Sequence, residues 1–192
     1  MNLSKAMMFV DGENLTLRYQ AMLADGSYEP LDETHYIPDY FVWHPNIAPI
    51  SLLEFTRVSY YTSIVGDDTT LSEARAKIAK ATYSRRTPNG FANYQIVPFV
   101  FKKLAQSQKT KSVDINIAID VMRHAHSNEI DVIFIVSGDG DFLPLARETM
   151  RLGKQVIIGA LTSGLNSELV FTADRFVELD RLLLRPKSQP AA

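Results

Sequence analysis

The chain contains no cysteine, so disulfides and thiolate-ligated metal sites are excluded. No apolar run approaches the ~20 residues that a bilayer-spanning helix needs. The opening residues, Met1-Asn2-Leu3-Ser4-Lys5, lead straight into a short apolar stretch without the layout of a signal peptide. These absences point to the cytoplasm and away from a membrane. Low-complexity segments and internal repeats are also missing. An excess of one charge is lacking too: 20 Lys and Arg stand against 22 Asp and Glu, a formal net charge of -2. The molecule is therefore no polycation, and a nucleic-acid partner would have to be met by local patches. At 192 residues, 46% of them hydrophobic, the chain has enough apolar material for the core of a single globular domain.

The most informative stretch is Ser137-Gly138-Asp139-Gly140-Asp141-Phe142. It follows Val132-Ile133-Phe134-Ile135-Val136, which reads as a buried parallel strand because it is β-branched and does not alternate with polar residues. Residues 143–152 read as a helix, with Asp141 or Gly140 near its N-cap and Pro144 in its first turn. Two carboxylates thus sit where a strand ends and a helix begins, the usual ligand position in open α/β sheets. Residues 6–10 repeat this layout: a short apolar strand ends in Asp11-Gly12-Glu13-Asn14, and a helix follows over 15–23. Asp11 either caps that helix or belongs to a site.

Residues 25–49 break the rhythm with Pro30, Pro38, Pro45 and Pro49 among Tyr28, Tyr36, Tyr40, Phe41, Trp43 and His44. Such a segment is not a long helix. We read it as an inserted excursion holding a hairpin at 36–43, whose aromatics stack on bases, pack on the domain edge or form a homodimer contact. Further strands are expected at 57–63, at 94–101 (interrupted by Pro98, which suits an edge) and at 155–160. Helices are expected at 71–83, 113–126 and 166–172, a last extended piece at 175–178, and a mobile tail at 185–192 after one domain over 1–184. The stretch 113–122 alternates like a strand, but the βαβ rhythm requires a crossover helix there, with Ser112 as N-cap and Asp114 in its first turn.

The fold expected is α/β, with a mainly parallel sheet in the order 3-2-1-4-5. That order makes the first and fourth strands neighbours at the topological switch point. Asp11, Asp114, Asp139 and Asp141 then converge on one rim. Clustered carboxylates are costly without compensation, and an oxygen-only donor set suits Mg²⁺ or Mn²⁺. Asn14, Ser137 and Thr162 are candidates for supporting polar roles.

Taken together, Val10-Asp11-Gly12-Glu13-Asn14, Lys111-Ser112-Val113-Asp114, Ser137 to Phe142, and 169–176 with Ala173-Asp174 resemble the motif series of the NYN family. More narrowly they resemble its LabA-like (DUF88) branch, within the PIN-like nuclease superfamily. The resemblance implies a Rossmann-like three-layer fold and a metal-dependent ribonuclease. In it Asp11, Asp114, Asp139 and Asp141 would hold one or two Mg²⁺ or Mn²⁺ ions. Lys102, Lys103, Lys109 and Lys111 would then contact RNA phosphates, whereas the usual origin of such a charge run is a solvated helix face plus a flexible loop. The alternative function is an RNA-binding or regulatory module that keeps the acidic pocket without turnover.

Overall fold

A computed structural model describes residues 4–48, 53–87, 89–105 and 111–187. The chain runs β1 (Lys5–Asp11), α1 (Gly12–Ala24), β2 (Tyr28–Pro30), β3 (His35–Ile37), β4 (Phe41–Trp43), β5 (Glu54–Val65), α2 (Asp68–Ile78), β6 (Thr82–Thr87) and β7 (Gly90–Gln95). It continues through β8 (Val97–Lys103), α3 (Lys111–Ala125), β9 (Val132–Val136), α4 (Leu143–Arg151), β10 (Gln155–Ala160), α5 (Ser167–Thr172), β11 (Arg175–Glu178), α6 (Asp180–Leu183) and β12 (Leu184–Pro186). Six strands form the central sheet in the order β11-β10-β9-β1-β5-β8, and every neighbouring pair is parallel. β1 lies between β5 and β9, and β11 adds a sixth strand beyond the five expected.

Helices cover both faces. Met8, Val10, Tyr60 and Phe134 pack on α1 and α2 through Leu15, Tyr19, Leu71, Ala74 and Ile78. Met7, Phe9, Ile133 and Ile135 pack on α3 and α4 through Val113, Ile117, Val121, Leu145 and Ala146. The alternation at 113–122 is explained here. Val113, Ile117 and Val121 recur every fourth residue and are buried, while Ile115 and Ile119 stand 54% and 50% exposed. A helix with apolar residues on both sides mimics the period of a strand.

The excursion at 25–49 is spent on the domain's own edge. Phe41, Val42 and Trp43 are buried, Trp43 Nε1 donates to the Thr82 carbonyl at 2.9 Å, and Tyr36 packs on Tyr19 with centroids 5.1 Å apart. β3 and β4 form the hairpin, and β2 pairs with β12 instead. The ordered chain therefore passes the boundary at 184. Arg185 pairs with Glu29 at 2.7 Å, which ties down the start of the expected tail; residues 188–192 lie outside the described residues. Two further expectations change. The helix begun near 71 ends at Ile78, because Thr82 and Tyr83 turn into the β6–β7 hairpin, where Tyr83 is buried. The strand expected over 94–101 is divided at Ile96, whose N–H returns to the Ala81 carbonyl; only β8 joins the sheet, at its edge, where Pro98 costs little. No helix among the described residues is long and apolar enough to cross a membrane.

Candidate active site

Asp11 ends β1 and caps α1. Its Oδ1 accepts from the Asn14 N–H at 3.0 Å and its Oδ2 from Ser137 Oγ at 2.9 Å. Ser137 directly follows β9, which lies beside β1 with Val10 opposite Val136. Its hydroxyl oxygen also accepts from the Asp139 N–H at 3.2 Å, while Asn14 Oδ1 accepts from the Gly138 N–H at 3.1 Å. Strand adjacency is thereby converted into a hydrogen-bonded frame joining Asp11, Asn14, Ser137 and Asp139. The cap and the site are thus one arrangement.

Asp11 is 2% exposed. Burial pushes its carboxyl up from 3.8 to about 7, and the charges of Asp114 and Glu13 push it the same way, against the Asn14 and Ser137 hydrogen bonds. Asp114, half-buried in the first turn of α3, is thus brought to Asp11 as the topology required. Asp139 caps the short 3-10 turn Gly140–Phe142, with its Oδ1 accepting from the Asp141 N–H at 3.0 Å. Asp139 caps only that turn; α4, whose cap was expected near Asp141 or Gly140, starts from Phe142 without a side-chain cap, and Asp141 is exposed.

Two expectations are corrected. Lys103 was assigned to the RNA-contacting loop, but it is the last residue of β8, 8% exposed, with Nζ 3.8 Å from Glu13 Oε1. Strand alternation explains this. Phe99 and Phe101 face α3, so Lys103 is turned inward by the same period of two, while Lys102 points out to solvent. Thr162 does not support the acidic frame: its N–H and hydroxyl both donate to Asp180, a residue 9% exposed. Of the remaining lysines, Lys111 opens α3, and Lys109 lies outside the described residues.

Glu13 and Ser63 were missed. Ser63 Oγ donates to Glu13 Oε1, beside Lys103. Both had signals. Glu13 stands within the Asp11 motif, and Ser63 is two residues beyond Tyr61, which is registered opposite Asp11. Two other acids brace the scaffold. Asp174 Oδ2 accepts from the Val156 N–H, holding the sheet edge, and Asp120 accepts from Tyr61 Oη.

The donor chemistry of Asp11, Glu13, Asp114 and Asp139 is oxygen only, and burial first, then the charges of Asp114 and Glu13, raise the Asp11 carboxyl, a cost that a hard divalent cation would relieve. Among the described residues, however, no three Asp, Glu or His side chains are grouped so that one ion is held by all three. The chemistry fits such an ion; a finished ligand cage is absent from this arrangement.

Comparison with known proteins supports the architecture. The protein of unknown function VPA0982 from Vibrio parahaemolyticus RIMD 2210633 has a similar crystal structure, with a TM-score of 0.61 over 95% of this chain and 97% of that one. At 18% identity that likeness shows the fold alone. The uncharacterized protein MJ0482 of Methanocaldococcus jannaschii is 32% identical over 83 residues, a match spanning 40% of this chain and about a third (35%) of that relative's length. The NYN domain model matches residues 5–180, a span that includes the whole frame around Asp11, and the chain belongs to the NYN domain family.

Proposed function

We propose that the protein is a metal-dependent endoribonuclease acting at the rim formed by Asp11, Asp114, Asp139 and Asp141. NYN domains are PIN-like nucleases, which supports a nuclease role. The observation that carries the reading is Asp11, buried at the switch point and held at about 7 by burial and by neighbouring negative charge. Burial opposes the charged form while the Asn14 and Ser137 hydrogen bonds favour it, and a bound cation would tip that balance to the carboxylate.

Asp11, Asp114 and Asp139 would hold Mg²⁺ or Mn²⁺. When bound, the ion supplies a water of lowered pKa and offsets charge on the phosphate. Ser137 and the Asn14 N–H fix both oxygens of Asp11, and Ser137 also ties the Asp139 backbone into the frame. Lys103 offsets Glu13 and limits the net negative charge of the rim. Asp141 stands at the mouth, where a carboxylate orients water or accepts its proton. The test is cleavage of mixed RNA with Mn²⁺. Asp139→Asn is expected to lose at least about 100-fold, and EDTA to stop the parent. Undiminished cleavage by the variant would sink the assignment. The second reading is RNA binding without turnover; metal-dependent RNA retention without product would establish it.

The two neighbouring lysines separate by salt dependence. Lys102→Ala is expected to lower the slope of log binding constant against log salt by about 0.7, the contribution of one single-strand phosphate contact. Lys103→Met should leave that slope unchanged and instead cost about 3 kcal/mol of stability by breaking a desolvated pair. Anisotropy titrations of RNA across a salt series, with denaturant melts of each variant, check both. A slope change in Lys103→Met would place its ammonium on RNA.

A further inference from the structure

A cleft of about 250 Å³ opens between the turn of the β3–β4 hairpin and α2. Asp39 and Tyr40 line one side, Glu73 and Lys77 the other, and Ile64 lies between them. Ser63 turns toward Glu13, whereas Ile64, one residue further along β5, turns to the opposite face and into the cleft. The cleft and the Glu13–Ser63 pair therefore lie on opposite faces of the same strand end.

The wall contributed by the excursion is held firmly. Thr62 Oγ1 donates to the Tyr40 carbonyl at 3.0 Å, and Gln20 Nε2 donates to Asp39 Oδ1 at 3.2 Å. Asp39 sits at φ 73, a left-handed conformation that few residues other than Gly, Asn and Asp adopt readily. Burial, and then the charge of Glu73, raise the Tyr40 phenol above its usual value, so Glu73 faces the Tyr40 side of the cleft.

The chemistry of the cleft is that of a base site. Its volume is below the ~300–1,000 Å³ of pockets for drug-sized ligands, which suits one planar ring system and little more. Tyr40 offers a partly buried aromatic surface, and stacking on such rings is how single-stranded bases are commonly held. Asp39 and Glu73 are acceptors only when ionised. Among the four RNA bases, only guanine presents two adjacent N–H donors on its pairing edge, a match for both oxygens of one carboxylate. Lys77 adds a cation for a flanking phosphate.

We propose that this cleft is a base subsite that selects guanine in RNA bound for cleavage. The cleavage part of that statement rests on the ribonuclease reading; the guanine part does not. On this assignment the excursion at 25–49, which a compact α/β domain does not require, supplies one wall of a specificity site.

The test has two arms on the full chain. Calorimetry compares guanosine 5′-monophosphate with uridine 5′-monophosphate for the parent, Glu73→Gln and Asp39→Asn. Both substitutions are near-isosteric at exposed positions, and Asn retains the oxygen that accepts from Gln20 and tolerates the left-handed backbone. The parent should favour the guanine nucleotide by about tenfold or more, the scale of one bidentate base contact, and at least one variant should bring the two nucleotides within about twofold. In the second arm, the ends of cleaved heteropolymer RNA are sequenced. Guanine should be enriched in the sequence around the cut in the parent and lose that enrichment in the same variant. Equal binding of the two nucleotides, no binding of either, or discrimination that survives both substitutions overturns the subsite. So does cleavage without base preference. If no RNA is cut while the guanine preference and its loss in the variant are observed, the ribonuclease reading fails and the guanine site stands.

Discussion

Asp11→Asn is expected to lower RNA cleavage by about 10³-fold or more and, in metal-free protein at pH 8, to raise the melting temperature. The first effect is the scale of losing the group that would hold the charge-compensating ion. The second follows from the sign of the Asp11 shift. Its carboxyl titrates at about 7 in the folded protein and near 3.8 when exposed. Below pH 4 the acid is protonated in both states and the fold keeps its full stability. As pH rises toward and past 7, ionisation is opposed by burial and by the charges of Asp114 and Glu13, and on the order of 4 kcal/mol of stability is lost.

Asparagine has the shape of the neutral acid, so the variant does not follow this decline. Some of the gain is offset because Ser137, which donates to Asp11 Oδ2, would have to reverse its hydroxyl, at a cost of about 1 kcal/mol. The net effect at pH 8 is a rise on the order of 10 °C, with the two proteins nearly equal at pH 4 to 5. Lys103 is paired with Glu13 in both proteins and leaves the difference unchanged. Added Mn²⁺ should then stabilise the parent far more than the variant. Calorimetric melts at the two pH values, with and without Mn²⁺, decide the matter. A parent as stable as the variant at pH 8 without metal would mean that its carboxylate is already compensated, which removes the physical reason for a cation at the switch point.

The sheet was legible because its strands are pure in pattern. β1 and β9 are apolar runs closed by Asp11 and Ser137, and β10 is apolar from Val156 to Ala160, which is how strands buried on both faces read. The adjacency of Asp11 and Ser137 followed from the strand order 3-2-1-4-5, which sets the first and fourth strands side by side at the switch point. The β6–β7 hairpin was not legible. Arg85 and Arg86 have no apolar alternation, and their side chains are placed by partners remote in sequence: Arg85 pairs with Glu54 at 3.0 Å and lies over the Tyr94 ring. Local pattern carries no record of such partners.

The acidic frame was legible as a list of residues and less so as an arrangement. Asp11, Asp114 and Asp139 could be placed on one rim because each sits at a strand end or in a helix first turn. The inward turn of Lys103 is decided by one residue of register on β8, and a one-residue error exchanges a solvent-facing lysine for an internal countercharge. Thr162 failed for another reason. It sits near the rim in sequence, but Asp180, introduced only after β11, claims both of its donors.

The second large effect belongs to Gly12, whose substitution tests the frame without touching a charge. A Cβ placed there would lie 2.2 Å from Tyr60 Cε1 and 2.8 Å from the Tyr61 carbonyl oxygen. Neither neighbour has room to retreat. Tyr60 is fully buried, with its phenol oxygen accepting from the Val42 N–H at 3.1 Å, and Tyr61 is registered opposite Asp11 in the sheet. Gly12→Ala should therefore lift the start of α1 from β5 and cost about 3 kcal/mol, the upper range for overpacking a core. It should also disturb the Asn14–Asp11 cap, so cleavage falls with stability. Gly153→Ala is the control. Gly153 has φ 78 with nothing within 4 Å of an added Cβ, so only the left-handed backbone penalty of about 1–2 kcal/mol applies and cleavage stays at the parent level. Replacing the ring resolves the cause. In a Tyr60→Leu background, the further cost of Gly12→Ala should drop to about 1 kcal/mol, a coupling that denaturant melts of the four proteins measure directly. Additive losses would mean that the close approach of α1 to β5 at Gly12 is not what holds Asp11 in place.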